Sequence, residues 1–111
     1  MLTRKSLDNL LNEVTEELIQ LGITPNKIVL FGSYANGGVH AYSDVDVALW
    51  SEKFTGEPIE DFEHVRPIVR KHRQISFKLY PAHATASNYD PFIEIIEQTG
   101  TCIYEQEKQT R

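Results

Sequence analysis

Cysteine and tryptophan each occur once, as Cys102 and Trp50. A lone cysteine cannot close an internal disulfide, so a reducing cytosol is the simplest setting. No apolar run approaches the roughly 20 residues of a membrane-spanning helix, and no membrane association is expected. The opening "MLTRKSLDNLLNEV" scatters charges where a signal peptide needs an uninterrupted apolar stretch. Basic residues are outnumbered: 11 Lys and Arg against 16 Asp and Glu, a formal net charge of -5. Long nucleic acid is held through many Lys and Arg contacts to phosphates, so the charge argues against a general polyanion binder and no long nucleic acid is expected as a partner. A single nucleotide is not excluded, because metal ions and backbone N–H groups can meet its charge. There is no internal repeat and no low-complexity segment. A chain of 111 residues then reads as one domain, 1–111, with about 106–111 as a solvated tail.

What is present alternates helical and strand patterns. Leu7, Leu10, Leu11, Val14, Leu18 and Leu21 recur at helical spacing, with Ser6 as N-cap and Gly22 as stop. "KIVLF" (27–31) and "VDVALW" (45–50) read as strands, and Gly32 ends the first. In the second, Val45, Val47 and Leu49 share one face, and Asp46, Ala48 and Trp50 share the other. "SEKFTGEPIED" reads as a loop. Phe62, Val65, Ile68, Val69 and His72 then fit one helical face, with Pro67 either in a first turn or at a kink. "QISFKLY" (74–80) is a third strand. Asp90 as N-cap, Pro91 at the first helical position and Gly100 as stop bound a short helix, and "TCIYE" is a candidate edge strand. The expected fold is α/β (α+β): a small mixed sheet of three to four strands with helices packed on it.

The unusual stretch is "LFGSYANGGVHAYSDVDVALW" (30–50). Strand interiors normally exclude aspartate, yet Asp44 and Asp46 stand two apart on one side of a strand. Their Cα atoms would lie about 6.6 Å apart, so two carboxylates converge on one spot. Unpaired, they repel each other and lose solvation. A divalent cation removes both penalties, and Mg²⁺ typically takes one or two protein carboxylates plus substrate phosphates. Gly32 lets the backbone approach a phosphate closely, and Ser33 adds a hydroxyl donor and, if a short helix starts there, free N–H groups.

The pattern Gly32-Ser33, ten residues (34–43), then Asp44-Val45-Asp46 resembles the nucleotidyltransferase superfamily, which includes DNA polymerase β and small minimal nucleotidyltransferases. The resemblance covers nearly the whole chain, including "YSDVDVAL" and "DPFIEIIEQTG". It implies a nucleotidyltransferase fold, with Mg²⁺ or Mn²⁺ on Asp44 and Asp46 as metal-binding, catalytic residues. It also implies transfer of a nucleoside monophosphate, AMP from ATP, to a hydroxyl of a partner or small acceptor. Gly32, Ser33 and Lys78 would bind the nucleotide. Among minimal members it points to toxin–antitoxin proteins that act with a HEPN-domain partner, and a homodimer is a further option.

The chain departs from the family in one respect. The family has a third carboxylate on a later strand, and "RQISFKLYP" contains none. One register puts Lys78 at that position, and a slip of two residues puts Ser76 there on the same face. Lys78 then has three readings: it pairs with Asp44 or Asp46, it reaches a phosphate, or it snorkels to solvent. A lysine 4 Å from a carboxylate gains about 4 kcal/mol at an effective dielectric of 20, before desolvation, comparable to several tenfold steps in metal affinity. The competing function is therefore a weakened or inactive nucleotide-binding or antitoxin subunit. A response-regulator-like module fits poorly, because its acids come from different strand ends.

Other residues read blandly. His40, His64, His72 and His83 lack a ligand spacing, so no zinc site is expected. Arg66, Arg70, Lys71 and Arg73 make one basic cluster, read as a solvated helix face. Trp50, Tyr34 and Tyr42 read as packing residues, and His40 as an exposed loop residue.

Overall fold

The structure, a computed structural model, describes residues 2–37 and 44–106. His40 and Tyr42 and the tail beyond 106 therefore lie outside the described residues. The elements run α1 (Arg4–Gln20), β1 (Pro25–Phe31), α2 (Ser33–Asn36), β2 (Val45–Ser51), α3 (Pro58–Lys71), β3 (Ile75–Pro81), α4 (Phe92–Thr99) and β4 (Thr101–Glu105). The strands form one mixed sheet in the order β3-β2-β1-β4. β1 is antiparallel to β2 and β4, and β2 is parallel to β3. The expected small mixed sheet is thus present, with "TCIYE" as an edge strand.

Alternation along the strands sorts side chains to two faces. Ile28, Leu30, Val45, Val47, Leu49 and Ile75 pack with Leu7, Leu10, Leu11, Val14 and Leu18 of α1 and Val65 and Ile68 of α3. The opposite face carries Val29, Ala48, Trp50 and Tyr80, covered by Ile93 and Ile96 of α4. Trp50 is buried there, as expected, and its indole N–H donates to the Ala84 carbonyl at 3.0 Å. Tyr34 packs against the first cluster and accepts from Leu2 N through its hydroxyl at 3.1 Å.

Several boundaries differ from expectation. The N-cap of α1 is Thr3, not Ser6: Thr3 Oγ1 accepts from Ser6 N at 3.1 Å, and Arg4 and Lys5 join the helix. Leu21 falls past the last turn and is exposed. α3 begins at Pro58 within the segment read as loop. Glu57 caps it by accepting from Glu60 N, and Pro58 occupies the first turn, where a missing N–H costs nothing. Pro67 lies inside that helix, and Phe62 faces solvent rather than the core. α4 begins at Phe92, one residue late, so Pro91 rather than Asp90 takes the N-cap position and no side chain caps the helix; Asp90, one residue earlier, accepts from Phe92 N at 3.0 Å.

Candidate functional site

Strand register lays out the site row by row. On the α4 face, Phe31 of β1 stands opposite Asp46 of β2, and Asp46 stands beside Ser76 of β3. The next row inward is Val29, Ala48 and Lys78, and the next is Lys27, Trp50 and Tyr80. Directly paired residues share a face, so these rows are rows of neighbouring side chains. Asp46 therefore lies mid-sheet, between a turn-bearing strand and a strand with an open outer edge.

Gly32 follows Phe31 and turns the chain into α2, so the helix expected from Ser33 is present as one short turn. Its backbone, φ 73° and ψ −150°, lies where essentially only glycine goes. The reason is next to it. A Cβ on Gly32 would overlap Asp46 Oδ2 outright and lie 3.1 Å from Asp46 Cγ. The missing side chain is the space the carboxylate occupies. Asp46 is half-buried, and Asp44, just before β2, is exposed. Burial, and then the neighbouring Asp44 charge, push the Asp46 carboxyl above its ordinary value. Two hard oxygen donors thus share a field that repels them both, at a bend no side chain can fill. That donor set suits a divalent cation such as Mg²⁺ with the rest of its shell from water or phosphate.

The parallel ladder places Ser76, not Lys78, beside Asp46. Lys78 does not pair with Asp44 or Asp46. Among the described residues it forms no salt bridge, and its Nζ lies over the Phe92 ring, 5.2 Å from the centroid. Phe92 in turn meets Phe31 edge-on at 6.0 Å between centroids. Ser76 and Lys78 are both exposed.

A second constellation escaped the sequence reading. His72 is buried, and its Nε2 lies 2.7 Å from Glu17 Oε1 and 3.6 Å from Glu13 Oε2. Lys71 also reaches both glutamates. The three ligand-type atoms of Glu13, Glu17 and His72 lie within 4.8 Å of one another. Lys71 already fills the cationic role there: its hydrogen bond first, and the His72 contact after it, hold the Glu17 carboxyl below its ordinary value. So the basic cluster is not wholly solvated; Lys71 and His72 tie α3 to α1. The only sequence signal was the Glu13–Glu17 spacing of four on one helix face.

The family model described as nucleotidyltransferase domain matches residues 11–108. The chain belongs to this family. No curated protein matches it. Three solved structures share the nucleotidyltransferase-domain fold at low identity. A candidate nucleotidyltransferase from Sulfolobus solfataricus is 15% identical at a TM-score of 0.65, covering 94% of this chain and 85% of that one. A toxin–antitoxin crystallised with AMP-PNP is 19% identical at 0.59, covering 90% and 74%. A mutant of the toxin–antitoxin MntA–HpeT is 17% identical at 0.57, also covering 90% and 74%. Among the described residues, no helix of this nucleotidyltransferase domain is long and apolar enough to cross a membrane.

Proposed function

We propose that this nucleotidyltransferase-family chain moves a nucleoside monophosphate, AMP from ATP, onto an acceptor hydroxyl, using a divalent cation held by Asp44 and Asp46. The observation that carries the reading is the seat of the Asp46 carboxylate in the Cβ space of Gly32, beside Asp44. Mg²⁺ or Mn²⁺ bound there would neutralise the two acids and draw the charge of the nucleotide phosphates. The chain's own residues do the rest. Gly32 brings backbone close to the phosphates, Ser33 offers a hydroxyl donor, and Asp46, opposite Phe31, sets its carboxylate in the space a Gly32 Cβ would take. The match of the family model and the fold shared with an AMP-PNP-bound toxin–antitoxin support a nucleotide ligand. A partner protein, of HEPN type or a second copy, is proposed on the fold shared with the two toxin–antitoxin structures. A cytoplasmic setting is part of the same proposal.

A second reading has an observation of its own. Ser76 stands on β3 where a third acid would flank Asp46, so that position offers no carboxylate to take the acceptor's proton. A general base contributes about 10²–10⁴-fold, so its loss favours a slow enzyme or an inert antitoxin subunit that still binds nucleotide. Calorimetry with ATP and Mg²⁺, followed by a radiolabel transfer assay, separates the readings. Metal-dependent ATP binding that is lost in Asp46→Asn, with label transferred, supports the enzyme. The same binding without transfer supports the antitoxin subunit. No nucleotide binding by the folded protein ends both.

A further inference from the structure

We propose that Lys78 is an acceptor-side anion anchor, so that the site takes an acceptor carrying a phosphate group near the attacking hydroxyl. This rests on the nucleotidyl-transfer reading and adds the class of the second substrate. Position is the first argument. The Gly32–Ser33 bend belongs to β1, on one flank of Asp46, whereas Ser76 and Lys78 belong to β3, on the other. β3 is an edge strand, so that flank is open to solvent. Nucleotide phosphates gathered at the bend leave the β3 side for the second substrate, so the proposal moves Lys78 from the nucleotide, the role the family resemblance implies, to the acceptor.

Donor chemistry is the second argument. Lys78 forms no salt bridge among the described residues. Asp90 is already engaged: Oδ1 accepts from Phe92 N at 3.0 Å and Oδ2 from the Tyr80 hydroxyl at 2.9 Å, and these bonds, before the Lys78 charge, hold its carboxyl below the ordinary value. The ammonium therefore keeps its three donors, and the Phe92 ring steadies it over the sheet. Ser76 adds a hydroxyl two residues away on the same face. A cation and a hydroxyl before an aromatic wall of Phe31 and Phe92 suit a phosphomonoester better than a neutral alcohol. Asp44 and Asp46 would repel such an anion until a divalent cation and nucleotide offset their charge, which orders binding: nucleotide first, acceptor second.

The test titrates glycerol 3-phosphate, with glycerol as control, into protein loaded with Mg²⁺ and a non-hydrolysable ATP analogue, following the Lys78 ammonium and the Phe92 ring by NMR. Glycerol 3-phosphate should shift both signals and glycerol neither. Lys78→Met should weaken that binding about tenfold or more, the worth of one charge-assisted hydrogen bond, and leave the affinity for the ATP analogue unchanged. Lys78→Arg should retain part of the binding. Weaker ATP-analogue binding in Lys78→Met, with glycerol 3-phosphate unaffected, assigns the ammonium to the nucleotide and overturns the proposal. No change in either ligand makes Lys78 a solvated lysine and also overturns it. If the wild type fails to bind the ATP analogue, the transfer reading falls. The acceptor anchor falls with it, since an acceptor that binds second needs the nucleotide in place; a wild type that binds the ATP analogue while Lys78→Met leaves glycerol 3-phosphate binding unchanged overturns the anchor alone.

Discussion

Replacing Gly32 with alanine probes the contact on which the site rests. Two costs arise, and they separate. The backbone cost comes from holding a residue with a Cβ at φ 73° and ψ −150°, which is about 1–3 kcal/mol. At about 4 °C per kcal/mol for a domain of this size, the melting temperature should fall by about 4–12 °C. The second cost comes from the added methyl, which overlaps Asp46 Oδ2. A carboxylate at the end of a side chain can rotate away, so this part costs little stability. It costs position instead: the overlapping methyl moves a carboxylate that would hold the cation, and cation sites of this kind demand near-ideal ligand geometry. Gly32→Ala should therefore lose Mg²⁺-dependent ATP binding while the protein stays folded. In an Asp46→Ala background the same substitution should show the backbone cost alone. The assay is a double-mutant cycle, with thermal melts for stability and calorimetry for ATP with Mg²⁺. A folded Gly32→Ala protein that binds ATP and Mg²⁺ like the wild type would refute the reasoning, because the carboxylate would then owe nothing to the empty Cβ space.

Three further outcomes follow from the same geometry. Asp46→Asn should make the ligand-free protein more stable at neutral pH. A carboxyl raised in the folded state penalises folding once ionised, so the penalty is absent below its unfolded pKa of 3.8 and complete above the folded one. Urea unfolding of both proteins across pH should converge in acid, and a variant less stable than wild type at pH 7 would contradict this. Ser76→Asp should raise Mg²⁺-dependent transfer, by up to the 10²–10⁴-fold typical of a general base, whereas Lys78→Asp, one row away beside Ala48, should raise it less. Labelled ATP reads both, and equal activity in wild type and Ser76→Asp would rule out the missing acid as the limit. Asp61→Ala should cost about 2–6 kcal/mol by urea denaturation. This buried carboxylate accepts from Thr55 N and Gly56 N, each at 2.9 Å, and two orphaned donors cost about 1–3 kcal/mol apiece.

Much of the fold is legible in the sequence because each strand is a period of two and each helix a period near 3.6. The alternation Val45-Asp46-Val47-Ala48-Leu49-Trp50 already assigns each residue to its face, and both faces prove to be as read. Gly32, Ser33 and the two aspartates stand out for a similar reason: few chemistries call for acids inside a strand that follows a Gly-Ser bend. The start of α3 was also written in the chain, as Glu57 and Pro58, but Gly56 and Pro58 together read equally as loop punctuation. What tertiary structure alone decided is which partner each residue meets. A slip of two residues between parallel strands preserves every face, so no pattern within β3 distinguishes Ser76 from Lys78 beside Asp46. Only the ladder to β2 does. Likewise His72 and Glu17 lie 55 residues apart, and their contact depends on how α3 settles across α1, a packing choice that neither helix encodes by itself.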